Sequence, residues 1–106
     1  MPKYLFTASF TPEGLKGLRD GGAVARREQG HTMAASLGGT MECYYFAFGD
    51  HDAYGIIDLP DDEAATALST AGNEAGTTKI TVTKLLTAEQ VDEAFTRTVD
   101  YQPPGQ

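Results

Sequence analysis

The chain has 106 residues, 41% of them hydrophobic and 22% charged, which suits one soluble domain with a single core and much to gain from a partner subunit. Its formal charge of -7 repels phosphate backbones and anionic lipid surfaces, and the one basic cluster, Arg26-Arg27 near Arg19, is too small to offset it, so neither nucleic acid nor membrane is expected as a partner. The single cysteine, Cys43, excludes an internal disulfide, and neither a signal-like start nor a stretch of about eighteen apolar residues is present, so a cytoplasmic chain is expected.

Residues Tyr4 to Phe10 alternate, with Tyr4, Phe6, Ala8 and Phe10 on one side and Leu5, Thr7 and Ser9 on the other, the period of a strand. Thr11-Pro12-Glu13 supplies an N-cap, a proline at the first helical position and an acid in the first turn, so a helix starts there. Gly21-Gly22 interrupts it. A second periodic segment, Ala23 to Leu37 with Met33, Ala34 and Leu37 inward, ends at Gly38-Gly39, and together the two form a broken helical crossover.

Met41 to Phe48 forms an aromatic strand, Gly49 to Asp52 a turn, and Ala53 to Leu59 a second strand. Alternation predicts Met41 and Tyr45 on one side of the sheet, opposite Tyr44, Phe46 and Phe48. A helix from Asp62 to about Ala75 follows, with Ala64, Ala65, Leu68 and Ala71 on its inner face, small enough for close approach to a sheet. Lys79 to Leu86 is rich in Thr, Val and Ile and predicts a fourth strand, and Thr87-Ala88-Glu89-Gln90 is a capping box that opens a short helix with Val91, Ala94 and Phe95 inward.

The order β-α-β-β-α-β-α is that of an α+β, ferredoxin-like domain, a four-stranded antiparallel sheet with helices on one side, over residues 1–97. Residues 98–106 form a Pro-containing tail that either hangs loose or drapes on a neighbour. Apolar residues occupy both sides of the sheet while helices cover one, so a second copy is expected to pack sheet to sheet, as a homodimer or a larger homo-oligomer.

Several stretches carry a family likeness: Met1-Pro2-Lys3-Tyr4-Leu5-Phe6, Ser36-Leu37-Gly38-Gly39, Tyr44-Tyr45-Phe46-Ala47-Phe48-Gly49, Asp58 to Ala65, and Leu86-Thr87-Ala88-Glu89. With Gly49-Asp50-His51-Asp52, they resemble the GYD domain family, small bacterial and archaeal proteins named for a Gly-Tyr-Asp signature between the second and third strands. His51 stands where that signature has its tyrosine. The resemblance implies a dimeric α+β barrel and carries no general biochemical assignment.

His51 with Asp50 and Asp52 is the densest polar cluster, able to act as a general base or to take part in metal binding; alternatively it is a polar hairpin loop whose aspartates bond backbone amides. His31 shares a helix side with Arg27 and Glu28, and with His51 and Asp52 these could make a metal set; the plainer reading is a solvent-facing ion pair. Tyr4, Tyr44 and Tyr54, with Arg27, are the candidates for orienting a small organic ligand at the sheet, or the tyrosines simply pack. Asp58 is expected to pair with Lys84 or Lys79, and Cys43 to pack as a small hydrophobe.

These features favour an oligomeric small-molecule-binding or assembly module with no cofactor. The alternatives are a small cofactor-independent enzyme of the oxygenase or isomerase kind, with His31 or His51 as acid/base, on analogy with other dimeric α+β barrels, and a metal-binding protein.

Overall fold

Alternation along β1 (Lys3–Phe10) places Tyr4, Phe6 and Ala8 on the same side of a sheet, and all three are buried there. The computed structural model describes residues 1–106. After β1 come α1 (Pro12–Gly21), α2 (Ala23–Ser36), β2 (Thr40–Phe46), β3 (Ala53–Asp58), α3 (Asp62–Glu74), β4 (Thr78–Lys84) and α4 (Ala88–Phe95). The strands form one antiparallel sheet in the order β2-β3-β1-β4, the expected ferredoxin-like arrangement.

Local chemistry starts three of the four helices where the caps predict. Thr11 accepts from the Gly14 amide, Asp61 from the Ala64 amide, and Thr87 and Gln90 complete a reciprocal capping box. The crossover is two helices, because Gly22 takes φ +93, a left-handed conformation that ends α1 and turns the chain into α2. The core lies between the sheet and α2 and α3, with Phe6, Ile57 and Leu59 fully enclosed. Each such side chain contributes about 1.5–3 kcal/mol relative to exposure. At the β4 edge, Asn73 of α3 accepts from the Ile80 amide at 2.7 Å and donates to the Ile80 carbonyl at 3.1 Å, so one side chain satisfies a backbone pair that an edge strand leaves open.

Four expectations need correction. A bulge between Met41 and Cys43 breaks the alternation of β2, so that Met41 and Tyr44 are both buried on the helix side while Tyr45 is 71% exposed on the outer side. Glu42, the extra residue, reaches Lys3 on the outer face. In α3 the inner stripe runs Ala64, Ala65, Leu68 and Gly72, and Ala71 is exposed; a methyl group at position 72 would run into the Ile80 side chain. Asp58 pairs with Lys3 at 3.0 Å, and Lys84 pairs instead with Asp62 at 3.3 Å.

The fourth concerns α4. Its apolar residues are not packed into the core: Val91 is only half-buried, Ala94 is exposed and Phe95 is 78% exposed. With the tail beyond it, this helix makes the molecule long, 56 × 34 × 23 Å. The radius of gyration is 16.9 Å, against about 13 Å for a compact domain of this length. No helix is long and apolar enough to cross a membrane.

Candidate functional site

The turn after β2 folds back onto the end of β1. The Asp52 carboxylate accepts from the Phe10 amide at 2.8 Å, as a polar hairpin requires, and the Asp52 amide donates to the Ala8 carbonyl. This places the His51 Nδ1 3.3 Å from the Ser9 hydroxyl and the ring edge-to-face with Tyr54, on the outer side of the sheet with Ser9. His31 is exposed on α2, which covers the other side, and Glu28 pairs with Arg27. His31, His51, Glu28 and Asp52 are therefore not brought together, and no three His, Cys, Asp or Glu side chains converge as metal ligands.

Of the tyrosines, Tyr54 is half-buried on the outer face and Tyr4 is buried beneath α3. The Tyr4 hydroxyl donates to Asp62 at 2.6 Å, and this bond, aided by burial, pushes the phenol up to about 12. The same bond, with the Lys84 ammonium second, holds the Asp62 carboxyl below its usual value. The trio ties β1 and β4 to the first turn of α3 and leaves its polar atoms partnered.

Tyr44 is different. It is 6% exposed, its ring packs among Phe6, Phe46 and Gly30, and its hydroxyl is buried without a hydrogen bond. Arg26 lies beside it, and its Nε is likewise buried and unpartnered. Burial pushes the Tyr44 phenol up, and the neighbouring guanidinium opposes that shift without forming a well-aligned bond. The Arg26 guanidinium carbon sits 5.8 Å from the centre of the Phe10 ring. Arg26 and Phe10 border a cleft of about 310 Å³ beneath the α1–α2 elbow. Its α1 wall combines Glu13 and Leu18 with Gly14, Gly17 and Gly21, and side chains added at Gly17 or Gly21 would meet open space.

Arg27, the arginine singled out from sequence, faces solvent, and Arg26 takes the inward position. The spacing that reveals this is Arg26, Gly30, Ala34: one residue every four along the buried stripe of α2. Extending the inward stripe backwards from Ala34 selects Arg26 and passes over Arg27.

No curated protein and no solved structure matches the chain. The GYD domain family matches over residues 4–95, from the first buried tyrosine of β1 to the last residue of α4. That match spans nearly all the elements described above and includes the projecting helix, and by it the chain belongs to the GYD domain family.

Proposed function

We propose that the chain is a homo-oligomeric assembly module in which a second copy covers the outer sheet face and the α4 arm. The observation that carries this reading is α4 itself. A helix of eight residues does not persist alone in water, yet α4 has a complete capping box and no buried residue. Val91 and Phe95 lie one turn apart, and Val99 and Tyr101 continue the exposed apolar surface along the tail.

The outer sheet face supports the same reading. Leu5, Ile56, Cys43 and Tyr54 are half-buried there beside the exposed Tyr45. The Lys3–Glu42 and Lys3–Asp58 pairs border this surface with satisfied charge. A second copy of the same face brings apolar centre to apolar centre, which a two-fold contact does by symmetry.

Analytical ultracentrifugation tests the proposal. The native chain is expected to sediment as a dimer or larger species, and the double substitution Val91→Ser with Phe95→Ser is expected to weaken association at least about tenfold while leaving the far-ultraviolet signature of the sheet in place. A native chain that sediments as a monomer at all concentrations overturns it.

A further inference from the structure

We propose that the cleft beneath the α1–α2 elbow binds a small carboxylate with an apolar body, with Arg26 as the anion anchor and Tyr44 as the residue that positions that anchor. This site is independent of how copies of the chain assemble.

Two buried polar atoms without partners, side by side, argue against a purely structural role. Burying a hydroxyl or a guanidinium nitrogen unpaired costs free energy, and an ordinary core removes such groups or pairs them. Of the two, Arg26 lines the cleft, so its guanidinium is the group that a ligand's acceptor can meet there. Arg26 is the single cation in the lining and Glu13, exposed at the rim, the single anion. Arg26 can pair with one negative charge, and Glu13 at the rim disfavours a second. A carboxylate also fits the planar fork of a guanidinium better than a point anion does.

The rest of the cleft sets the body of the ligand. Phe10 and Leu18 offer apolar surface, and the missing side chains at Gly17 and Gly21 open the opposite wall. A volume of about 310 Å³ has room for a single ring. Alternation of the β2 strand alone does not foresee this site; the bulge at Met41 and Cys43 helps bring Tyr44 to the helix side with Met41.

Nuclear magnetic resonance on the full, isotope-labelled chain tests this with benzoate and its neutral isostere benzamide as probes. Benzoate is expected to shift the Arg26 Nε–H signal and the Gly17 and Gly21 amides, and to bind at least about tenfold tighter than benzamide. Arg26→Gln should abolish that preference. Tyr44→Phe should reduce the benzoate-to-benzamide ratio while leaving benzamide binding in place, a change that a merely structural hydroxyl would not cause. Gly17→Leu adds a side chain where the structure is open and should block both probes in a folded protein. Benzoate that fails to bind, binds no better than benzamide, or keeps its preference in Arg26→Gln overturns the assignment.

Discussion

The two halves of the helical layer each place a glycine and a tyrosine against the same sheet, with opposite results. Under α3, Gly72 lets the helix close onto Ile80, Asn73 satisfies the β4 edge and the Tyr4 hydroxyl is bonded to Asp62. Under α1 and α2, Gly17 and Gly21 face open space and the Tyr44 hydroxyl and Arg26 Nε have no partner. The α3 half spends Gly72 on contact, while the α1–α2 half spends Gly14 and Gly30 on contact and Gly17 and Gly21 on a cleft. Local agreement between packing and polar satisfaction marks a structural half, and its breakdown marks the half where a ligand belongs.

The comparison breaks most sharply at the glycines. Gly72→Ala drives a methyl group into the Ile80 side chain and is expected to destabilise the fold by about 2 kcal/mol in urea titrations. Gly17→Ala meets nothing within 4 Å. Removing glycine from a helix interior is then expected to stabilise by about 0.5–1 kcal/mol. If both substitutions move stability in the same direction, the contrast between a closed and an open half is wrong.

The tyrosines sharpen it further. Tyr4→Phe removes a hydroxyl that donates to Asp62 and should cost about 1 kcal/mol. Tyr44→Phe removes a buried hydroxyl with no partner and should gain about 1 kcal/mol while weakening carboxylate binding. Thermal melts of both variants, with and without benzoate, check the pair. A Tyr44→Phe protein less stable than the native chain would show that Arg26 and Tyr44 already satisfy each other.

The reason these features were unequally legible from sequence lies in the range of the interactions that create them. Thr11-Pro12, Asp61 and the Thr87-Gln90 box act within one turn of their own helix, so helix starts and the β-α-β-β-α-β order are local information. The Met41/Cys43 bulge is not, because it depends on pairing with β3 and on Glu42 reaching Lys3, which lies 39 residues away. Helical spacing predicts Ala71 inward, yet the stripe passes through Gly72, where the absence of a side chain permits a tight contact. Helical spacing also predicts Phe95 inward, which holds only where an apolar stripe finds its partner in its own chain, and Phe95 does not. The Gly30 and Ala34 spacing points to Arg26, whereas the spacing to His31 points to Arg27 on the solvent side.

The smallest effect concerns pH and isolates the closed half. Because the bond to Asp62 raises the Tyr4 phenol from 10.0 to about 12, the folded state binds that proton more tightly than the unfolded chain. Its contribution is fully present below pH 10 and is lost as the pH rises towards about 12. The Asp62 carboxyl behaves oppositely: its folded value is lowered from 3.8, so its contribution is present above that pH and is lost as the pH falls through the folded value. Asp62 keeps 67% of its side chain exposed, and water screens the interaction, so both slopes are shallow. Lys3, raised by its bonds to Asp58 and Glu42, also loses its contribution at alkaline pH, as does the buried Tyr44. The difference between native and Tyr4→Phe stability curves therefore isolates Tyr4, where the native curve alone does not. That difference should be constant through neutral pH and shrink between pH 10 and about 12, where the unfolded chain's phenol ionises while the folded one still holds its proton. A constant difference throughout that range would mean that the bond to Asp62 does not bias the Tyr4 proton, and that α3 owes its closure to Gly72 and Asn73 alone.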